Sequence, residues 1–200
     1  MGIVPNMLSD HAVLLDRDGT INRNVFYPDS GEFEGPRSAD EFELYSWSLP
    51  ALTALKQAGY CLFIVSNQPN FAKGKSTLAS LAEIHQKLLI ELKRSDIDFL
   101  DCYYCYHHPK SQVPGYSECD CRKPSPKFIF DAARQYAIDL NRSWMVGDRS
   151  TDIECGQRAG VRTVRLAPDH PSTDPQSDLP KADYYAPDLK AASSIILNAK

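Results

Sequence analysis

The sequence predicts an α/β fold: a Rossmann-like three-layer αβα sandwich built around a mainly parallel sheet. Three observations point to it. Short apolar runs alternate with amphipathic stretches along the chain. One of these runs, Tyr60–Val65, is continuously apolar, as a strand covered on both faces must be. The 200 residues, 42% hydrophobic and 24% charged, suffice for one globular domain with a sizeable core and are short for two.

The elements follow in order. Ala12–Leu15 is a short strand of buried type. Ala51–Ala58 is a helix, with Pro50 suited to its first turn and Gly59 to the position after its end. Tyr60–Val65 is the next strand. Ser76 is placed to cap a long helix whose Leu78, Leu81, Ile84, Leu88 and Leu92 recur at helical spacing. Phe99–Tyr106 is expected as a strand and Phe128–Ala137 as a helix. Trp144–Val146 (strand), Asp152–Ala159 (helix, stopped by Gly160) and Val161–Leu166 (strand) follow. Asp183–Tyr185 and Leu189–Leu197 close the chain as strand and helix. Three segments read as irregular: Asn24–Ser38, His107–Glu118 and Ala167–Ala182. The last is expected to be a surface loop without chemistry.

The formal charge is −4. No basic excess exists to hold a polyanion, which speaks against nucleic acid as a partner. No apolar run approaches the roughly 20 residues of a membrane helix. Met1–His11 lacks the features of a signal peptide. The expectation is a cytoplasmic monomer in a reducing compartment, where six cysteines are free or metal-bound rather than paired.

In a parallel sheet, ligands gather where strands end at their carboxyl side. Four motifs stand at such ends. Asp16-Arg17-Asp18-Gly19-Thr20 places two carboxylates two residues apart, suited to nucleophilic and proton-transfer work. A calcium loop is excluded because its sixth position, Ile21, is not glycine. Ser66-Asn67-Gln68 offers a hydroxyl and backbone N–H groups to phosphate oxygens. Arg122-Lys123-Pro124 puts two cations before a helix. Gly147-Asp148-Arg149-Ser150-Thr151-Asp152 adds carboxylates before another. Each alone has an ordinary reading as a turn, a solvated basic pair or an acidic first helical turn.

Their order, DxDGT, Ser-Asn, Lys and GDxxxD, resembles the haloacid dehalogenase-like (HAD) hydrolase superfamily. The resemblance implies an HAD-like fold and phosphoryl transfer through an aspartyl-phosphate. Asp16 takes the place of the nucleophile and Asp18 that of the general acid and base. Ser66 and Lys123 hold the transferring group. Mg²⁺ is held by Asp16, the backbone carbonyl of Asp18, and Asp148, with Asp152 outside them. Thr20, Asn67, Lys73, Arg122 and Arg149 are expected around the substrate. No helical insertion of cap size fits between Asn22 and Leu49, so the fold is expected to be capless. Loops must then shield the site. A phosphomutase, which generally keeps a cap, is disfavoured. A non-catalytic binding module is disfavoured by the presence of both Asp16 and Asp18.

Cys105-Tyr106-His107 is followed, after eleven residues, by Cys119-Asp120-Cys121. Three thiolates and an imidazole make the tetrahedral set of a structural Zn²⁺ site with no open position. Cys102 competes with these ligands, and His108 with His107. The zinc loop, about 102–122, is read as an insertion in a single domain of residues 1–200. Tyr103-Tyr104-Cys105-x-His107-His108-Pro109 and Cys119-Asp120-Cys121-Arg122-Lys123-Pro124 closely resemble the D,D-heptose 1,7-bisphosphate 7-phosphatases, which act in nucleotide-heptose synthesis for surface polysaccharide. The related histidinol-phosphatases carry a similar loop. The implied substrate is a small sugar phosphate. The chain departs from the heptose pattern, usually Asn-Gln-Ser-Gly-Ile-Ala-Arg-Gly, at Asn67-Gln68-Pro69-Asn70-Phe71-Ala72-Lys73-Gly74. Lys73 can meet a second phosphate as a point charge rather than a fork. Pro126-Lys127-Phe128 replaces Pro-Gly-Met, and the loop after Asn22 is longer than usual.

Overall fold

The structure, a computed structural model, describes residues 10–170 and 181–199. Its centre is a six-stranded, fully parallel sheet in the order β5-β4-β1-β6-β7-β8. The strands are β1 (Ala12–Leu15), β4 (Cys61–Asn67), β5 (Asp101–Cys105), β6 (Trp144–Gly147), β7 (Arg162–Leu166) and β8 (Tyr184–Ala186). A separate antiparallel hairpin joins β2 (Val25–Tyr27) to β3 (Glu32–Glu34). Five helices complete the fold: α1 (Ser48–Gln57), α2 (Leu78–Arg94), α3 (Lys127–Tyr136), α4 (Ser150–Ala159) and α5 (Leu189–Asn198).

Strand periodicity decides which helix covers which face. Val13 and Leu15 of β1, with Leu62 and Ile64 of β4, pack in one cluster with Leu52, Leu55, Ile84, Leu88 and Ile196 from α1, α2 and α5. Their neighbours Ala12, Leu14, Phe63 and Val65 pack with Ile129, Ala132, Cys155 and Ala159 from α3 and α4. Both faces are therefore covered, which is why these strands read as unbroken apolar runs. From β1 the chain moves outward through β4 to β5, then crosses to β6 and outward to β8. That reversal opens a crevice at the carboxyl ends of β1, β4 and β6.

Several boundaries differ from expectation. Helix α1 begins at Ser48, earlier than Ala51, and the buried Ser48 hydroxyl donates to the Ile21 carbonyl at 2.6 Å. Thr77, not Ser76, caps α2: its Oγ1 accepts from the Ser80 N–H, while the Ser76 hydroxyl donates to the Arg37 carbonyl. Either residue type serves as a cap, and a tertiary contact claims Ser76. Leu78 is exposed and lies off the buried stripe.

The main correction concerns Asn24–Ser38, which is not irregular throughout but contains the β2–β3 hairpin. Phe26 faces Phe33 across it, ring centroids 5.2 Å apart. The Arg37 guanidinium lies 3.7 Å from the Tyr27 ring centroid, and the Tyr27 hydroxyl donates to Glu41 at 2.7 Å. Three-residue strands bearing charged residues leave little period-2 signal, so side-chain pairing rather than pattern holds this hairpin. Among the described residues, it is the only sheet or helix element between β1 and α1. The expected surface loop Ala167–Ala182 is described in part, and residues 171–180 lie outside the described residues. Its first residues pack on the hairpin: His170 stacks on Phe33 with centroids 4.4 Å apart, and its Nε2 lies 3.1 Å from Asn24 Nδ2. Among the described residues no helix is long and apolar enough to cross a membrane.

Candidate active site

The crevice gathers residues distant in sequence. Asp16 leaves β1 with its N–H donating to the Val146 carbonyl of β6 at 2.9 Å. Lys123 reaches in from the loop before α3. Its ammonium stands 2.9 Å from Asp16 Oδ1 and 2.7 Å from Asp152 Oδ1, and donates to the Val65 carbonyl at 2.6 Å. Asn67, at the end of β4, holds the Lys123 backbone from both sides. Its amide donates to the Lys123 carbonyl at 3.1 Å and accepts from the Lys123 N–H at 3.0 Å. Lys123, Asp16, Asp148, Asp152 and Ser66 are all buried.

One ammonium does not balance three carboxylates. Burial alone would raise the Asp16 carboxyl, yet the Lys123 charge and hydrogen bonds from Lys123 and Ser66 hold it below the usual range. Asp148 goes the other way: burial, then repulsion from Asp152, pushes it well above the usual range. Asp152 has both oxygens engaged, Oδ1 with Lys123 and Oδ2 accepting from the Arg149 N–H at 3.0 Å. Asp148 Oδ1 is buried without a hydrogen-bond partner. Oxygens of Asp16, Asp148 and Asp152 lie within 4.8 Å of one another. A hard divalent cation fits this set, because it supplies the charge that the three carboxylates lack and gives Asp148 Oδ1 a partner.

Asp18 lies in a different network. Its carboxylate accepts from Arg17 Nε at 3.0 Å, from Asn22 Nδ2 at 2.9 Å and from Gln68 Nε2 at 2.7 Å. Arg17 Nη2 also donates to Gln68 Oε1 at 2.8 Å, and Gln68 Nε2 lies 3.0 Å from Ser66 Oγ, to which it donates. Arg17 is fully buried, with the Tyr104 ring centroid 5.7 Å away. Sequence reasoning carried Arg17 and Gln68 inside its motifs without giving either a role, and gave Asn22 none. The available signal was an arginine between two strand-end carboxylates, a charge that burial obliges to find a partner.

Two glycines permit the close approach. Gly19 has φ +81°, and a Cβ there would stand 2.4 Å from Asp148 Oδ2 and 2.8 Å from Asn24 Nδ2. At Gly35, just past the hairpin, a Cβ would stand 2.2 Å from Asp18 Oδ2, so the hairpin backbone lies directly against Asp18. Gly19→Ala combines left-handed strain with this clash. It is expected to cost about 1–3 kcal/mol of stability and to weaken stabilisation by Mg²⁺, read as melting midpoints with and without the ion. Wild-type midpoints in both conditions would refute it.

The remaining predicted positions divide. Lys73, Arg122, Arg149 and Asn67 line the cleft, together with Glu32, Phe33 and Glu34 from the hairpin. Thr20 is fully buried with its hydroxyl unpaired, and its N–H meets the Arg17 carbonyl within the turn; it is not among the residues lining the cleft. Asn67 lines the cleft, but its amide is committed to Lys123. The altered segment Pro69–Lys73 is wedged between hairpin and cysteine loop. Asn70 Nδ2 donates to the Gly35 carbonyl at 2.9 Å, and the Gln112 N–H to the Ala72 carbonyl at 2.7 Å.

Beside the cleft, ligand atoms of Cys105, His107, Cys119 and Cys121 lie within 4.8 Å of one another. Cys105 and Cys119 sulfurs are 3.6 Å apart, and His107 Nδ1 lies 3.8 Å from Cys105 Sγ and 3.7 Å from Cys121 Sγ. A disulfide needs about 2.05 Å. A tetrahedron with Zn–S near 2.3 Å sets its corners about 3.8 Å apart, so the arrangement has zinc dimensions. Burial pushes the Cys105 and Cys121 thiols up, and a cation between them is what would let them ionise. The competing residues are engaged elsewhere. Cys102 packs against the core, its thiol pushed up to about 12 by burial. His108 Nδ1 accepts from the Lys110 N–H at 3.1 Å. Arg122 ties the two centres together, its Nη1 donating to the His107 carbonyl at 3.0 Å.

Comparison with known proteins agrees with this geometry. A family model described as HAD-hydrolase-like matches residues 120–192. A D-glycero-alpha-D-manno-heptose-1,7-bisphosphate 7-phosphatase of Photorhabdus laumondii is 35% identical over 163 residues, covering 80% of this chain and 85% of that protein. The D-glycero-beta-D-manno-heptose-1,7-bisphosphate 7-phosphatase of Escherichia coli K12 is 36% identical over 156 residues, 78% of each chain. Among solved structures, the D,D-heptose 1,7-bisphosphate phosphatase of B. bronchiseptica, complexed with magnesium and phosphate, superposes with a TM-score of 0.78. It is 28% identical and covers 96% of this chain and 100% of that one.

Proposed function

Because this chain belongs to the HAD-superfamily heptose-1,7-bisphosphate 7-phosphatases, and so is a phosphoric monoester hydrolase, we propose that it removes the 7-phosphate of D-glycero-D-manno-heptose 1,7-bisphosphate in nucleotide-heptose precursor synthesis. The observation that carries the reading is the clamp of Lys123 on Asp16 and Asp152, beside an Asp148 left with an unpartnered buried oxygen. It keeps Asp16 anionic and holds a place for a divalent cation.

Asp16 attacks phosphorus in line, forming an aspartyl-phosphate as the bond to the sugar oxygen breaks. Asp18 gives its proton to that departing oxygen. It then takes a proton from the water that attacks phosphorus, releasing phosphate and freeing Asp16. Ser66 and Lys123 hold the transferring oxygens, and Asn67 holds Lys123. Asp16, the Asp18 carbonyl and Asp148 would hold Mg²⁺, which would supply charge neutralisation at the phosphoryl group. Asp152 keeps Lys123 and the first turn of α4 in place. Arg122, Arg149 and Lys73 meet the rest of the substrate. Cys105, His107, Cys119 and Cys121 would hold Zn²⁺, which would order the loop that leads into Arg122 and Lys123. The reading takes residues 1–200 as one capless domain, a cytoplasmic monomer whose partner is a small sugar phosphate.

A histidinol-phosphatase, or another small-molecule phosphomonoesterase of the superfamily, is the second reading. One observation favours it: Glu32 lines the cleft, where an ammonium group would meet it. The test is Mg²⁺-dependent phosphate release from the α and β anomers of heptose 1,7-bisphosphate, with histidinol phosphate alongside. The relatives named for this activity divide between the anomers. The expected outcome is turnover of one anomer well above the other and above histidinol phosphate. Turnover of histidinol phosphate alone would move the enzyme to the second reading.

A further inference from the structure

Glu34 is an anion enclosed by cations in the wall of the cleft. It sits at the end of β3 and is buried, although it lines the cleft. Its Oε2 meets Arg37 Nη2 at 3.1 Å, and its Oε1 is ion-paired with Lys75 and lies 3.9 Å from Lys73 Nζ. Arg37, three residues past β3, is tied to the hairpin: it also meets Asp29 at 2.8 Å and stacks on Tyr27. Lys73 lies in the altered segment and Lys75 two residues beyond it, and among the described residues Glu34 is the carboxylate that both pair with. Burial opposes the Glu34 charge, but hydrogen bonds from Lys75 and Arg37 hold its carboxyl below the usual range. Arg122 is on the same cleft wall.

Lys73, which lines the phosphatase cleft, converges with Lys75 and Arg37 on Glu34, and such a set of cations makes an anion subsite. In this chain the subsite already contains an anion, delivered by the hairpin. We propose that Glu34 is a specificity-determining residue: its carboxylate takes the place of the substrate's second phosphate on Lys73 and Lys75, and a bisphosphate must displace it. The proposal rests on the bisphosphate reading above. A monophosphate leaves Glu34 where it is and gains nothing from the lysines. A bisphosphate exchanges one lysine-bound anion for another, so Glu34 moderates the preference for the second phosphate. Because Gly35 lies against Asp18, the same exchange bears on the backbone beside the acid/base group.

The experiment compares kcat and KM for heptose 1,7-bisphosphate and heptose 7-phosphate in wild type, Glu34→Gln and Lys73→Met. Removing the counter-anion is expected to raise the bisphosphate-to-monophosphate ratio of kcat/KM by roughly tenfold, carried by KM. Lys73→Met is expected to lower that ratio. An unchanged or falling ratio in folded Glu34→Gln would overturn the proposal, making Glu34 a mere support for the lysines. If Glu34→Gln does not fold, Glu34→Asp withdraws the charge by about one methylene and is expected to raise the ratio by less; no rise overturns the proposal equally. Hydrolysis of neither heptose phosphate by wild type would overturn this inference together with the reading on which it rests. Hydrolysis with an indifferent ratio would overturn this inference alone.

Discussion

Asp16→Asn is expected to lower phosphate release by at least about a thousandfold while the protein stays folded. The amide matches the carboxylate in shape but offers no anionic oxygen to phosphorus. Lys123 keeps two acceptors, Asp152 Oδ1 at 2.7 Å and the Val65 carbonyl at 2.6 Å, so its buried charge is not stranded. The measurement is steady-state phosphate release, with the far-ultraviolet circular dichroism melt as the control for folding. Retention of more than about a hundredth of wild-type kcat by a folded Asp16→Asn would remove Asp16 from the nucleophile's place. The variant also loses one of the two carboxylates that would hold Mg²⁺, so the melting shift produced by the ion should shrink beside it.

Stripping zinc is the second large effect. The loop His107–Cys121 has no helix or strand of its own. Its cohesion comes from the four converging ligands and from aromatic contacts such as Phe71 with Tyr116, centroids 4.8 Å apart. Isolated zinc-finger peptides gain roughly 10–16 kcal/mol of apparent binding energy from such sites. Loss of only ~3 kcal/mol here would already lower the melting midpoint by about 10 °C in a chain of this size. Elemental analysis should find one zinc per chain. Chelation followed by resupply of Mg²⁺ alone should lower the midpoint by that amount. It should also depress kcat/KM, because Arg122 is anchored on the His107 carbonyl and Lys123 follows it in sequence. A zinc-free preparation with unchanged midpoint and kcat/KM would refute the structural role.

Much of this protein is legible one element at a time. Ala12–Leu15 agrees with its strand to the residue, and Gly160 ends α4 in the left-handed conformation expected of it. The buried stripe Leu81, Ile84, Leu88 and Leu92 of α2 lies in the 3.6-residue period. The β2–β3 hairpin was not legible, because two three-residue strands depend on partners outside their own segment. Neither was the choice between Cys102 and its neighbours as ligands. Cys102 and Cys105 share one strand, and only the position of the distant Cys119–Cys121 stretch separates their fates.

By itself, the sequence determined the alternation of strand and helix and the strand ends at which carboxylates, hydroxyl and lysine stand. Both depend on local periodicity and on chain direction, which neighbouring residues define. Tertiary structure alone decided how the charges are shared. Asp16 and Lys123, far apart in sequence, meet at 2.9 Å, Asp152 is consumed by Lys123 and Arg149, and Asp148 keeps an oxygen unpartnered. It also turned Arg17 inward onto Asp18 and set Glu34 among the cations of the cleft. The reason is physical: a buried ion is stable only beside its counter-ion. Which counter-ion stands within a few ångströms depends on where the sheet and its loops bring remote segments together.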